Sequence, residues 1–324
     1  MPMRGECRYA KETLQSIIRD IGHEFSLCIP HSELSQSVKD MINAVVPKAV
    51  VRYLDAGGFT LAEALNLAVS TSEKEFILRI DSDDKVVEGR TLKQYQFLME
   101  NDNTAVVGSQ IVFIDENSKH LGKSNYSVKT FSLEFGFGCR IAHPSVMFRR
   151  SQIISVGNYQ EICNLRGRSI CEDYDLWLRV IEKYRIMILD EHLTEYRIHT
   201  RQNTQKYEAE IFLCSLILRS RKILGSTRNQ VEIEDLRLES IRFKGIVNQM
   251  KNLETPESRV WLLDLSIFTV KKYLALTSDL SNDRVLRGIK NLNLWFFAFG
   301  YVLKNRGDYE REITIFRSMI NPEG

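Results

Sequence analysis

No apolar run in this chain approaches the ~18 residues needed to span a bilayer. The longest, residues 292–303, contains Trp295-Phe296-Phe297-Ala298-Phe299 but is broken by Asn293 and Gly300. A buried helix accounts for it, with an interfacial membrane helix as the alternative. An excess of one charge is also lacking. Over 324 residues, 44 basic side chains face 42 acidic ones, net +2, which is no nucleic-acid footprint. The six cysteines (Cys7, Cys28, Cys139, Cys163, Cys171 and Cys214) contain no CxxC spacing. They read as scattered thiols in a reducing compartment. A glycine-rich phosphate loop, a repeat of fixed period and a low-complexity linker are missing as well.

What is present is a mixed pattern. Between residues 8 and 200, strand-like and helix-like segments alternate. Leu14, Ile17, Ile18 and Ile21 share one helical face, as do Val38, Met41, Ile42 and Val45. Residues 25–29, closed by Pro30, and 49–54 read as strands. Thr60 and Glu63 have capping-box spacing ahead of Leu61, Ala64, Leu65 and Ala68, which predicts a helix start. Residues 76–80 form a third strand, 92–99 a helix, and 105–114 a long strand turning at Asp115-Glu116-Asn117. Such alternation predicts an α/β fold, a mostly parallel, Rossmann-like sheet with helices on both faces. Beyond Thr204 the pattern becomes all-α, with helices expected at 206–225, 232–253, 257–278 and 284–304. Two regions follow, 1–204 and 205–324, carrying net charges of −2 and +4.

The acids come in two clusters. Asp81-Ser82-Asp83-Asp84 ends the apolar run Phe76-Ile77-Leu78-Arg79-Ile80. Three carboxylates in four residues repel one another, and a hard divalent cation, Mg²⁺ or Mn²⁺, would relieve them and grip a diphosphate. An acidic turn after a strand is the simpler alternative. The second cluster, Glu172-Asp173-Tyr174-Asp175, opens the apolar run Leu176-Trp177-Leu178. Acids there complement a helix dipole, or supply a rigidly held general base. Two further segments stand out, His143-Pro144-Ser145 through Gly157-Asn158-Tyr159, and Tyr196-Arg197-Ile198-His199.

In this order, the segments resemble the family 2 nucleotide-sugar glycosyltransferases of GT-A fold. The likeness covers residues 1 to about 204 and includes Ala62-Glu63-Ala64-Leu65-Asn66. It implies a cytoplasmic, metal-dependent inverting enzyme, peripheral on the membrane where its acceptor is lipid-linked. A sugar would pass from a nucleotide-sugar donor to a glycan or lipid-linked acceptor in polysaccharide or cell-surface glycan synthesis. The resemblance assigns Asp81, Asp83, Asp84 and His199 to the metal, and Asn66, Arg79, Asp81 and Asp83 to the donor. It makes Asp173 the catalytic base beside Glu172, and puts His143, Asp175 and Arg197 on the acceptor side. Two departures accompany it. The chain begins where the family's first strand should be ending, and Ile29-Pro30-His31-Ser32-Glu33 lacks the acid expected to read the base, with Glu33 and Asp55 as substitutes. A nucleotidyltransferase and a catalytically degenerate scaffold are the competing readings.

Overall fold

The computed structural model describes residues 1–5, 7–21, 25–126, 139, 141–164 and 169–202, with 204, 211, 214 and 218. The chain divides into two compact units, Met1–Ile211 and Phe212–Gly324. The helices expected between 206 and 304 lie outside the described residues, apart from Ile211, Cys214 and Leu218, which are helical. The aromatic stretch at 295–301 lies outside them too. Among the described residues no helix is long and apolar enough to cross a membrane.

The first unit begins with strand β1 (Met3–Arg4), helix α1 (Ala10–Asp20), β2 (Leu27–Ser32), α2 (Gln36–Val45) and β3 (Val51–Asp55). Its three strands form a parallel sheet in the order β1-β2-β3. Leu14 of α1, Ile29 of β2 and Ile42 of α2 meet in its core, so the helical spacing read from the sequence does mark the buried faces. Strand β2 runs through Pro30 where an end was expected. Pairing with β1 starts only at His31, so beside Pro30 that flank of β2 is an edge, where a missing N–H is tolerated.

Next come α3 (Leu61–Thr71), β4 (Phe76–Leu78), β5 (Lys85–Val86), α4 (Arg90–Glu100), β6 (Thr104–Ile114) and β7 (His120–Lys123). Helix α3 opens with the capping box in full: Glu63 N–H donates to Thr60 Oγ1 at 3.4 Å, and Thr60 N–H to Glu63 Oε2 at 2.8 Å. Such a cap contributes about 1 kcal/mol. The unit is completed by β8 (Met147–Arg149), α5 (Arg150–Ser155), β9 (Cys163–Asn164), β10 (Ser169–Ile170), α6 (Glu172–Val180) and β11 (Arg185–Arg197).

The larger sheet runs β4-β8-β6-β11-β5, with β7 beside β6. It is mixed: β6 and β11 pair in parallel along their length, and the other pairings are antiparallel. The mostly parallel expectation thus holds for the small sheet and for the β6–β11 pair alone. Strand and helix alternation does not fix direction, because an antiparallel strand can enter through a short connection.

Packing then places the acids. Ile80, immediately before the tetrad, and Val86, just after it, are buried with Ile17 of α1. Each such burial stabilises by roughly 1.5–3 kcal/mol, so the acidic turn is slung between two apolar anchors. Helix α1 adds polar ties, since Thr13 Oγ1 donates to Asp84 O at 2.7 Å and Val86 N–H to Ser16 Oγ at 3.0 Å. Gly108 on β6 allows close approach of the segment entering His143–Ser145. A Cβ there would lie 2.6 Å from Ile141 Cδ1.

Candidate active site

Arg79 and Ile80 separate the end of β4 from the tetrad. Arg79 N–H still bonds Val146 O across to the β8 segment, at 2.9 Å. Its guanidinium turns onto the acids, with Nη1 donating to Asp81 Oδ2 at 2.5 Å. One oxygen each of Asp81, Asp83 and Asp84 lies within 4.8 Å of the others. Asp84 is buried, and its Oδ1 accepts the Arg197 N–H at 2.8 Å. Its Oδ2 is buried with no hydrogen-bond partner among the described residues. Burial, then the neighbouring Asp83 and Asp81 charges, hold this carboxyl well above the usual range. Burial also raises Asp81, with the Arg79 charge opposing.

Asp83 is held from β11. Its Oδ2 bonds His199 Nε2 at 2.9 Å and its carbonyl accepts from Arg197 Nε at 2.9 Å. Arg197 itself is fully buried, and its remaining donors reach Asp115 O, Ser118 Oγ and Glu12 Oε2. The guanidinium also stacks 4.3 Å from the Tyr9 ring centre. Arg197, expected on the acceptor side, is thus engaged inside the fold as a brace between the Asp83 and Asp115 turns.

The second cluster is presented by the N-terminus of α6. Cys171, just before it, adopts φ 61°, a conformation costing a non-glycine residue about 1–3 kcal/mol. Tyr174 N–H donates to Asp173 Oδ1 at 2.8 Å, which fixes that carboxylate at the helix start. Burial, and then the Asp173 charge, push Glu172 up to about 8. Burial raises Asp173 as well. Both acids feel the charges of Arg79 and Asp81, so the two clusters are electrostatically coupled. Asp175 points elsewhere. It accepts Arg179 Nε and Nη2 at 2.9 and 2.7 Å, and Arg179 in turn holds the carbonyls of Val156 and Asn158. Through Arg179 it anchors that turn.

His143 is buried, with Nε2 2.9 Å from the Tyr159 hydroxyl and its ring edge-on to Trp177. Burial and the Arg79 charge hold its imidazole well below the usual range, hence neutral. Asn66, expected to touch the donor, is committed to the backbone of Tyr159: its Nδ2 donates to Tyr159 O at 2.8 Å and its Oδ1 accepts Tyr159 N–H at 3.0 Å. Tyr159, which the sequence marks only as the end of a segment, was given no role of its own. It lies within range of Arg79, Asp173, Glu172 and Asp81, and its only sequence signal was its place after Gly157-Asn158. Asp55 closes a turn by accepting Gly57 N–H at 2.9 Å. An open concavity of about 600 Å³ lies elsewhere, between α1 and α2, lined by Lys11, Arg19, Met41 and Val45 among others and by none of these acids.

Residues 3–209 match the family model described as "Glycosyltransferase like family 2". Over 159 residues the chain is 35% identical to the O-antigen biosynthesis glycosyltransferase WbnJ of Escherichia coli, a stretch covering 48% of this chain and 59% of that protein. The chain therefore spans less than two thirds of that relative. Two solved structures share the fold. The S. aureus TarS 1–349 complex with UDP-GlcNAc aligns with TM-score 0.56 at 16% identity, over 95% of this chain and 92% of that one. The mannosyltransferase PcManGT of Pyrobaculum calidifontis, in complex with GDP-Man and Mn²⁺, aligns with TM-score 0.53 at 12% identity, over 91% and 85%.

Proposed function

The chain belongs to the glycosyltransferase family 2-like proteins, and from that premise we propose that it moves a sugar from a nucleoside-diphosphate donor to a glycan or lipid-linked acceptor, with inversion. The observation that carries this reading is the pair of acid clusters, tetrad and α6 N-terminus, both under the charges of Arg79 and Asp81. The name of the Escherichia coli relative supports a place in cell-surface polysaccharide synthesis. The donors in the two solved complexes support a nucleotide sugar.

The tetrad fits a divalent cation. Three carboxylates converge, and the buried Asp84 Oδ2 lacks a partner among the described residues; an all-oxygen set of this kind suits Mg²⁺ or Mn²⁺. Asp81, Asp83 and Asp84 would hold it, with His199 beside Asp83. Such a cation supplies neutralisation of the diphosphate leaving group. Arg79 adds fixed positive charge next to Asp81. On the opposite side, Asp173 accepts the proton of the attacking acceptor hydroxyl. Glu172, with its carboxyl raised to about 8, stays protonated at neutral pH and leaves the negative charge of the pair on Asp173. One in-line displacement inverts the anomeric centre. The transferase domain is residues 1–204.

The test is a panel of UDP-, GDP- and dTDP-sugars incubated with the full chain in Mn²⁺ or in EDTA. Metal-dependent release of a nucleoside diphosphate from one donor is expected. Pyrophosphate release from a nucleoside triphosphate and a sugar 1-phosphate, supplied in a parallel reaction, would make the protein a nucleotidyltransferase, and no release in either reaction would leave it a scaffold.

A further inference from the structure

One cation in the first unit takes no part in the chemistry above. Arg90, the first residue of α4, is fully buried. Gly89 precedes it at φ +85°, a conformation that turns the chain sharply and aims the Arg90 side chain inward. Among the described residues no carboxylate meets the guanidinium in a hydrogen bond; the charges of Asp20 and Asp84 reach it only through space. Its Nε donates to Gln94 Oε1 at 3.0 Å, and its Nη2 donates to two backbone carbonyls, Arg79 O at 3.0 Å and Val146 O at 3.2 Å. Burial pulls its pKa down to about 9. A buried charge without a paired carboxylate is a costly choice for a core, where an apolar side chain of similar volume would serve packing better. The geometry supplies a reason for it.

Gln94 follows one turn later on the same face of α4 and is also fully buried. Its Nε2 donates to Ser145 O at 2.7 Å and to Val107 O at 3.1 Å. Two side chains on one helix therefore hold four carbonyls from three segments. Arg79 O belongs to the stretch that ends in the tetrad. Ser145 O and Val146 O belong to the turn that carries His143. Val107 O belongs to β6, the centre of the sheet. The ladder of β4 and β8 covers Phe76–Leu78 against Met147–Arg149 and stops there. Beyond it, the Arg79 N–H bond to Val146 O and the Arg90 fork are what join the two segments.

We propose that Arg90, seconded by Gln94, is a positioning residue that locks the strand end bearing the acid tetrad to the His143 turn, and so fixes the donor half of the site against the half that holds Tyr159 and the α6 acids. This rests on the function proposed above. Arg90 touches neither donor nor acceptor; it acts through the backbone at Arg79 and Val146.

The test uses the full chain with Arg90→Met and Arg90→Lys, read in two ways. The first is hydrogen exchange at the Arg79 amide, which bonds Val146 O, compared with amides of the β6–β11 pair. Exchange at Arg79 should rise about tenfold in Arg90→Met, the weight of one hydrogen bond, while β6 and β11 stay as they are. The second is nucleoside-diphosphate release from the sugar nucleotide that the wild type uses. Its kcat should fall about 10²-fold, the effect of misalignment by about an ångström, with KM for the donor nearly constant. Arg90→Lys, which keeps the charge and loses the fork, should fall between the two. Should Arg90→Met not fold, Gln94→Met, which frees the carbonyls of Ser145 and Val107, takes the same two measurements. Unchanged exchange at Arg79, exchange rising equally in β6 and β11, or an unchanged kcat overturns the proposal. Locally raised exchange in a protein whose wild type releases no nucleotide would uphold the clamp and sink the proposed function instead.

Discussion

His199 donates its Nε2 proton to Asp83 Oδ2 across 2.9 Å, because its other ring nitrogen, Nδ1, accepts the Arg201 N–H at 3.2 Å. That backbone bond fixes the tautomer of the neutral ring. In this arrangement the imidazole donates a hydrogen bond that orients a tetrad carboxylate. His199→Gln keeps an N–H donor and should retain metal-dependent nucleotide binding within about threefold, whereas His199→Ala should lose about tenfold, the value of a charge-assisted hydrogen bond. Calorimetry on both variants decides between roles. Equal loss in the two would make the imidazole lone pair the functional group.

Asp173→Asn should spare donor binding and cut sugar transfer by roughly 10²–10⁴-fold, the usual weight of a general base. The amide can still accept the Tyr174 N–H, so the helix start survives. Donor affinity and turnover measured on one preparation separate the two effects. Full turnover in Asp173→Asn with loss in Glu172→Gln would transfer the role to Glu172.

Glu172 also predicts a pH dependence of stability. Its carboxyl is raised in the folded chain to about 8, while the unfolded value is about 4.3. Between those values the folded state holds a proton that the unfolded state has released. Stability therefore falls as pH rises through that window and levels off above it. Glu172→Gln removes the titration and should flatten the melting temperature between pH 5 and pH 8, estimated limits that follow from the same linkage. Thermal melts across that range are the check. Parallel wild-type and variant curves would mean that Glu172 is ionised when folded.

Both acid clusters were legible in the sequence because their signals are local: an apolar strand that stops in carboxylates, and acids in the first turn of an apolar helix. The capping box at Thr60 and Glu63 was legible for the same reason. What escaped depends on pairing between distant segments. The parallel register of β6 and β11 places Arg197 opposite Ile114, beside the Asp115 turn, and so buries a side chain that looked available to substrate. Asn66 reads as a polar residue on a helix until Tyr159 arrives to take both ends of its amide. Arg90, among Thr91, Lys93 and Gln94, looks like surface, and only the left-handed Gly89 turns it into the core.

The central claim is that the Asp81–Asp84 turn binds a nucleoside diphosphate together with a divalent cation. Calorimetric titration of UDP and GDP into the full chain, with Mn²⁺ and with EDTA, tests it most directly when repeated on Asp83→Ala. The account predicts binding of one nucleotide by the wild type in Mn²⁺, its loss in EDTA, and its loss in Asp83→Ala with the melting temperature preserved. Metal-dependent binding that persists undiminished in Asp83→Ala would contradict it.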